Sequence, residues 1–402
     1  MLTRRPPPHV TTSSPTPSNE HCWTHVRPKE RCQMKTKAAV LTGLHQEYQV
    51  REIDVAEPRA GEALVRMKVS GLCHSDEHNK CGGTSLPIVG GHEGSGVVEA
   101  VGPGVTRLEV GDHVGVSWIP SCGRCRWCVT GHSNLCDLGA NLATGVLANG
   151  GLRYSMDGVP IGGIAATGTF SQFLVADERS LVKVDKDIPL EWVSLVTCGV
   201  TTGWGSVVNA GQVREGDVVA IYGCGGIGSS AVQAAVNSGA QTVAAVDPVA
   251  MKLEFAQKLG ADRTYDNAAD AHTDILALTC GVGADVAVVT VGKVTSEVVR
   301  AAFDITRKGG TVVLTGVSDY YDDNTIELPG TWLTLFQKKL VGTLYGNCNP
   351  HVDIPRLLGL AKRGKLRLDD FITRRYTLDQ INQGYADLLA GHNIRGVILH
   401  DD

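Results

Sequence analysis

Long hydrophobic runs are missing from this chain of 402 residues. A membrane-spanning helix needs about 18 or more uninterrupted apolar residues, and the richest stretch, residues 218–236, is broken by glycines and serines. No membrane span is therefore expected.

Basic residues are not in excess either, because 37 Lys and Arg stand against 42 Asp and Glu, for a formal net charge of −5. Nucleic acid, whose phosphates attract basic surfaces, is therefore not an expected partner.

The first residues lack an apolar segment that could serve as the hydrophobic core of a secretory signal. Residues 1–33 are rich in Pro, Ser, Thr, His and Arg. We interpret them as a disordered N-terminal extension ahead of a true start at Met34, because residues 37–41 open the first strand-like pattern. A transit peptide is the alternative, although the prolines oppose an amphipathic helix.

A disulfide framework is not expected for the twelve cysteines. Without an export signal, the chain is predicted to be cytoplasmic, where thiols stay reduced and available for metal binding or catalysis. The length exceeds the ~250 to 300 residues at which single cores stop growing, and the 43% hydrophobic and 20% charged residues are typical of globular chains. Two globular domains are therefore expected.

Four cysteines form the most specific pattern in the sequence. Cys122, Cys125, Cys128 and Cys136 follow CxxCxxC and then a seven-residue gap, on a segment rich in Pro and Gly. Such spacing lets four thiolates bind one tetrahedral zinc, which leaves no open position for a substrate, so this zinc would be structural. A zinc ribbon that docks on nucleic acid or on a protein is the alternative. The acidic balance and the single cluster oppose it.

A second, open zinc site is indicated by residues that are far apart in sequence. Cys73 and His92 each follow a glycine-containing segment, and Cys198 comes much later. Two thiolates and one imidazole make a catalytic set whose fourth position is left to water or substrate. By spacing alone this pattern is weak, because each residue could equally be a buried thiol or a core histidine.

A dinucleotide-binding unit is predicted after residue 215. A buried strand at residues 217–222 leads through a GxGxxG turn into an Ala-rich helix at residues 226–238. This context lets the helix N-terminus hold a pyrophosphate through Gly223, Gly225, Gly226, Ile227 and Gly228. Asp247 ends the next strand, where a carboxylate binds ribose hydroxyls and repels a 2′-phosphate, so NAD is favoured over NADP. Further strands at residues 285–291 and 311–316 complete an open parallel sheet.

From about residue 35 onward the chain resembles the zinc-dependent medium-chain alcohol dehydrogenases. The resemblance rests on the segment GHEGSGVV at residues 91–98, on the four-cysteine spacing and on the glycine turn. It implies an α/β protein with a GroES-like, β-rich catalytic domain and a doubly wound Rossmann domain. The implied layout is a catalytic domain at residues 34–199 with a zinc lobe at 120–137, an NAD-binding domain at 200–341, and a return to the catalytic domain at 342–402.

The resemblance also implies roles for individual residues. Cys73, His92 and Cys198 would bind the catalytic zinc, with Glu93 beside them and Asp76 accepting the other ring N–H of His92. Ser75 and His78 would relay the hydroxyl proton of the alcohol to solvent. An exposed loop histidine is the alternative for His78, and a plain surface charge is the alternative for Arg395. The coenzyme would be contacted by His74, Thr202, Lys252 and Arg395.

The sequence says less about which alcohol is the substrate and which molecule accepts the electrons. By resemblance, Trp118, Ile164 and Ala165 would line a pocket for small or apolar alcohols and aldehydes. A glutathione-dependent formaldehyde dehydrogenase is an alternative, but residues 81–86 lack the acidic groups that such enzymes carry there. The chain looks most similar to the actinobacterial nicotinoprotein branch, assayed with nitrosodimethylaniline (NDMA) and associated with the carrier mycofactocin. Membership would imply permanently bound NAD; ordinary exchangeable NAD is the alternative. The family also implies a homo-oligomer joined through its nucleotide domains.

The other thiols are assigned no role and are interpreted as core or tail cysteines: Cys22, Cys32, Cys81, Cys224, Cys280 and Cys348.

Overall fold

The first half of the fold is rich in strands. The computed structural model describes residues 33–318 and 325–401, so the predicted disordered extension, apart from Gln33, lies outside the described residues. Three strands come first: β1 (Gln33–Leu41), β2 (Gln49–Ala56) and β3 (Glu62–Gly71). Along much of β3, buried and half-buried side chains alternate, as expected for a strand with one face on a core.

Short strands and helices follow, connected by long loops. The strands are β4 (Ile88–Val89), β5 (Gly94–Val101), β6 (His113–Val116), β7 (Tyr154–Met156), β8 (Val159–Gly163), β9 (Phe173–Asp177) and β10 (Leu181–Val184). The helices are α1 (His74–His78), α2 (Arg126–Val129), α3 (Leu190–Val196) and α4 (Gly199–Gly205). Strands β1, β2, β7, β8 and β4 close into a barrel.

A parallel sheet forms the second half. Its strands are β11 (Val218–Tyr222), β12 (Thr242–Val246), β13 (Arg263–Tyr265), β14 (Ala284–Val289), β15 (Thr306–Leu314) and β16 (Lys339–Gly342). The helices are α5 (Gly226–Asn237), α6 (Ala250–Lys258), α7 (Ala268–Leu278), α8 (Ser296–Ile305) and α9 (Gly330–Leu335). Every residue of β11 and β12 is buried, which explains their continuous apolar runs.

The strand order β13-β12-β11-β14-β15-β16 is that of a doubly wound nucleotide-binding sheet. The predicted open parallel sheet is therefore confirmed. The order reverses between β11 and β14, and ligands of such sheets bind outside the carboxyl ends of the strands at this point. The glycine turn follows β11 and so stands at that position.

The C-terminal segment returns to the strand-rich half. It contains α10 (Pro350–Lys362), β17 (Ile372–Tyr376), α11 (Ile381–Leu389) and β18 (Arg395–Leu399). Strand β18 pairs antiparallel with β3, inside a sheet ordered β10-β6-β5-β3-β18-β17 with β9 also on β3. Residues from both ends of the described chain thus build one body, although the predicted domain limits themselves stay a prediction. None of the helices in the described ranges is long and apolar enough to span a membrane.

Candidate active site and metal centres

Two thiols and one imidazole meet at the base of the cleft between the two halves. Cys73 directly precedes α1, His92 lies in the loop before β5, and Cys198 directly precedes α4. Their ligand atoms and a carboxylate oxygen of Glu93 lie within 4.8 Å of one another, and all four residues are buried. The fold thus brings together the three residues whose spacing in sequence carried little weight.

The imidazole of His92 is oriented by Asp76. Its Nδ1 lies 2.9 Å from Oδ1 of the buried Asp76, which leaves Nε2 as the ring nitrogen that can bind a metal. Tyr48, a residue that the sequence did not single out, donates its hydroxyl to the Asp76 carbonyl at 3.3 Å. A hydrogen bond from Cys198 lowers the pKa of Cys73 well below its usual value. This favours the thiolate form that zinc requires.

Glu93 and Arg395 form a buried ion pair behind these ligands. Burial raises the pKa of Glu93 to about 7 against the opposing charge of Arg395, and Oε1 of Glu93 has no hydrogen-bond partner among the described residues. Arg395 also lies against the start of α5, since a Cβ on Gly226 would stand 2.2 Å from its Cδ. The guanidinium thus lies between the metal-ligand cluster and the glycine turn.

The two relay candidates face the cleft. The hydroxyl of Ser75 is 3.7 Å from the Cys73 thiol, next to the position where a metal-bound alcohol would lie. His78 is further out, with Nε2 3.0 Å from the Gly292 carbonyl. His74 packs against Gly292, and burial lowers the pKa of its imidazole. Its predicted contact with the coenzyme stays a prediction.

The cleft is a cavity of about 560 Å³ lined from both halves of the fold. Its glycine turn is tight, because a Cβ on Gly228 would lie 1.8 Å from the Gly223 carbonyl oxygen. The turn opens the twelve-residue helix α5, whose free N–H groups suit a pyrophosphate. The predicted coenzyme residues on the cavity wall are His74, Thr202, Gly223, Gly225, Gly226, Ile227, Asp247, Lys252 and Arg395.

Asp247 also fixes the shape of the turn. Its Oδ2 accepts from the Cys224 N–H at 2.8 Å, and its Oδ1 accepts from the Val249 N–H at 2.9 Å. The carboxylate is buried yet lines the cavity. It therefore couples the end of β12 to the glycine turn in addition to lining the cavity.

The four predicted cysteines converge in a separate lobe. The Sγ atoms of Cys122 and Cys128 are 3.9 Å apart, and those of Cys125 and Cys136 are 4.0 Å apart. Four sulfurs at about 2.3 Å from a tetrahedral zinc would be about 3.8 Å from one another. The backbone N–H groups of Asp137 and Cys128 lower the pKa of Cys125 to about 6, whereas burial raises the pKa of Cys128 to about 12. The distances between the sulfur atoms and the set of four thiols fit zinc.

The cleft has an aromatic wall beside Cys73 and Cys198. Trp118 lines the cavity as predicted, and its ring contacts Tyr345 edge-on at 5.0 Å between centroids. Tyr345 and its neighbour Leu344, which sequence reasoning missed, line it too. Ile164 is buried in a core cluster against which Ala165 packs, and neither is among the residues that line this cavity. Their role in substrate binding stays a prediction.

Comparisons with known proteins agree with this geometry. Residues 59–186 match the alcohol dehydrogenase GroES-like domain, and residues 226–363 match the zinc-binding dehydrogenase domain. An NDMA-dependent alcohol dehydrogenase of Amycolatopsis methanolica is 48% identical over 369 residues, which cover 91% of this chain and 99% of that protein. The chain belongs to the zinc-dependent medium-chain alcohol dehydrogenases. The predicted family, fold class and enzyme activity are thereby confirmed.

Alignments with other relatives cover a similar share of the chain of this alcohol dehydrogenase. Alcohol dehydrogenase B of Mycobacterium bovis is 45% identical over 92% of the chain and 99% of its own length. An S-(hydroxymethyl)glutathione dehydrogenase of Synechocystis is 35% identical over 91% of the chain and 100% of its own length. Among solved structures, benzyl alcohol dehydrogenase from Acinetobacter calcoaceticus superposes with a TM-score of 0.84 at 30% identity, over 92% of this chain and 100% of that one.

Proposed function

We propose that this alcohol dehydrogenase oxidises small or apolar alcohols to aldehydes, or the reverse, with NAD that stays bound through the cycle. The observation that carries the proposal is the convergence of Cys73, His92 and Cys198 beside Ser75, in a cleft that the glycine turn also lines. Metal ligands, a proton acceptor and a dinucleotide site share one cavity. Hydride transfer requires this placement.

Each zinc site has its own proposed ligands. Cys73, His92 and Cys198 would hold the catalytic zinc, and the Glu93 carboxylate, whose buried Oε1 has no hydrogen-bond partner within the described residues, lies beside the same cluster. Cys122, Cys125, Cys128 and Cys136 would hold the structural zinc. When bound, the catalytic zinc lowers the pKa of the alcohol hydroxyl, and NAD accepts the hydride.

The chain's own residues move the proton and exclude water. Ser75 would accept the hydroxyl proton, and His78, nearer the solvent, would release it to water. Asp76 keeps His92 in the tautomer that binds metal. Arg395, between Glu93 and the start of α5, would hold the pyrophosphate. The rings of Trp118 and Tyr345 would exclude water from the bound alcohol.

The physiological acceptor is proposed from the relatives. The Amycolatopsis methanolica protein, described as NDMA-dependent, matches nearly its full length. We therefore propose that an external carrier, such as mycofactocin, reoxidises the bound NAD in place. Exchangeable NAD and a glutathione adduct as substrate are the competing possibilities, the latter because of the Synechocystis relative.

One experiment separates these possibilities. Enzyme purified without added coenzyme is dialysed, analysed for zinc and NAD, and given ethanol or benzyl alcohol with either free NAD or NDMA. We expect two zinc ions per subunit, one for each cluster, about one retained NAD, and turnover only with NDMA. NADH release into solution would mean an ordinary dehydrogenase. Turnover only with formaldehyde and glutathione would mean the glutathione-dependent enzyme, and a single zinc without turnover would refute the catalytic site.

We further propose a homo-oligomer that forms through the parallel sheet. Strand β16 pairs with β15 on one side, and among the described residues no strand covers its other side. Leu340, in β16, and Leu335, at the end of the preceding helix α9, are exposed. An uncovered edge next to exposed apolar side chains suits a two-fold contact between copies.

We also propose a cytoplasmic location, because the zinc-binding thiols must stay reduced. Cell fractionation tests this proposal.

A further inference from the structure

One wall of the cleft is a turn in an unfavourable backbone conformation. Tyr345, Gly346 and Asn347 have φ angles of 58°, 64° and 53°, a left-handed region that disfavours residues with a Cβ. Such conformations persist only where surrounding contacts hold them in place. Thr343, Leu344 and Tyr345 line the cavity, so whatever holds the turn also positions the wall of the cleft.

Two hydrogen bonds hold Tyr345 and Gly346 in this turn. The Tyr345 hydroxyl donates to the carbonyl of Thr197, the residue before the proposed zinc ligand Cys198. The side-chain amide of Asn209 donates to the Gly346 carbonyl at 3.1 Å. These contacts tie Tyr345 to the end of α3, just before Cys198, and Gly346 to the segment after α4.

The contact on Leu344 comes from the four-cysteine lobe. Asn134 Nδ2 donates to the Leu344 carbonyl at 3.0 Å, across 210 residues of sequence. Asn134 is only 2% exposed, and its Oδ1 makes no hydrogen bond within the described residues. Burial of an amide with an unsatisfied oxygen is unfavourable. The interaction that this buried amide does make is the hydrogen bond from Nδ2 to the Leu344 carbonyl.

We propose that Asn134 is a positioning residue that links the four-cysteine lobe to the wall of the cleft. Asn134 stands two residues before Cys136, so a metal that fixes the lobe also fixes the amide. The amide holds Leu344, and Tyr345 follows directly between Trp118 and the Cys198 segment. The lobe thereby positions the substrate end of the cleft as well as stabilising the fold. This inference rests on the proposed function of the cleft.

The test compares variants at two adjacent buried positions of the lobe. Asn134→Ala and Asn134→Leu remove the donor, Asn134→Gln keeps an amide, and Ser133→Ala is the matched control. Ser133 is 2% exposed, and its hydroxyl makes no hydrogen bond among the described residues. Each holoenzyme is assayed for zinc, thermal midpoint, and kcat and KM for benzyl alcohol with NDMA or NAD as acceptor.

We expect kcat/KM to fall about 3- to 10-fold in Asn134→Ala and Asn134→Leu, as for the loss of one hydrogen bond, with both zinc ions retained. Asn134→Gln should recover part of the loss, and Ser133→Ala should match wild type. Tyr345→Phe removes the contact at the other end of the turn. Its combination with Asn134→Ala should be non-additive, because both hold the same segment.

Two results would overturn the inference. The first is a kcat/KM of Asn134→Ala and Asn134→Leu equal to that of Ser133→Ala. The second is a loss of activity that follows, in proportion, a loss of the lobe zinc, because Asn134 would then only stabilise the lobe. Wild-type turnover, measured in the same assay, shows separately whether the proposed function holds.

Discussion

The hydroxyl of Ser75 faces the cleft 3.7 Å from the Cys73 thiol. Because Ser75 is placed to accept the alcohol proton without being among the grouped metal-ligand residues, Ser75→Ala should separate chemistry from metal binding. We expect kcat to fall by about 100- to 10,000-fold, the usual contribution of one proton-transfer group, while both zinc ions remain. Steady-state kinetics and metal analysis on the same preparation measure the two effects.

Ser75→Thr is the control for this substitution, because it keeps a hydroxyl at the same position. It should retain most of the turnover. If Ser75→Ala turned over at the wild-type rate, the proton relay would have to start at another residue.

Asp247 connects coenzyme choice to the shape of the glycine turn. Its two carboxylate oxygens accept backbone N–H groups of Cys224 and Val249, and an amide has only one oxygen to offer. Asp247→Asn should therefore weaken NAD binding about 10-fold, as expected when a charged hydrogen-bond acceptor is lost. NADP binding should not appear, because no Arg follows directly after Asp247, where it could pair with a 2′-phosphate. NAD and NADP retained after dialysis are measured in parallel, and unchanged NAD retention would contradict the expectation.

Among the elements, those with local signals could be predicted from the sequence. The expected strand at 217–222 and helix at 226–238 are found as β11 (Val218–Tyr222) and α5 (Gly226–Asn237), because an apolar run, a glycine turn and an Ala-rich segment follow one another directly. The barrel could be assigned only through the resemblance. Its register depends on pairings between distant short strands, such as β4 with β8, and no local pattern encodes them.

The residues of the candidate site also form two groups: those that a local pattern predicts and those that only the fold brings together. The four-cysteine lobe is local and was predicted from spacing, whereas Cys73, His92 and Cys198 needed the resemblance because the fold alone brings them together. Tyr345 and Asn134 were missed. Their contacts run to Thr197 and Leu344, respectively, and a tyrosine or asparagine by itself carries no spacing signal.

The uncovered edge of β16 gives a prediction about assembly. Leu340→Asp places a charge on this strand, where Leu340 is 36% exposed, and should convert the oligomer to smaller species, since a buried unpaired charge opposes association. Leu278→Asp, at the end of α7 and 45% exposed, is the matched control and should not change the mass. Light scattering coupled to size-exclusion chromatography measures both. A wild-type monomer, or equal behaviour of the two variants, would contradict assembly through β16.

For the molecule as a whole, His400 connects the segment after β18 to β3. We expect its titration to make the stability of the fold depend on pH. His400 follows β18, its Nε2 lies 2.9 Å from the Ser70 hydroxyl of β3, and its backbone N–H donates to the Lys68 carbonyl at 3.0 Å. Burial lowers the pKa of His400 to about 4, and the nearby charge of Lys68 adds to this effect. The unfolded chain, with a histidine pKa of about 6.5, therefore binds more protons than the folded one between these two values.

Stability should accordingly be lost as the pH falls from about 6.5 towards 4, by at most about 3 kcal/mol from this group. His400→Gln keeps a hydrogen-bonding group but cannot titrate, so its thermal midpoint should fall less than that of wild type between pH 7 and pH 4.5. Loss of zinc at low pH affects both proteins alike and cancels in the comparison. Equal falls in the two midpoints would mean that the pKa of His400 does not differ between the folded and unfolded states, and that other groups cause the loss of stability in acid.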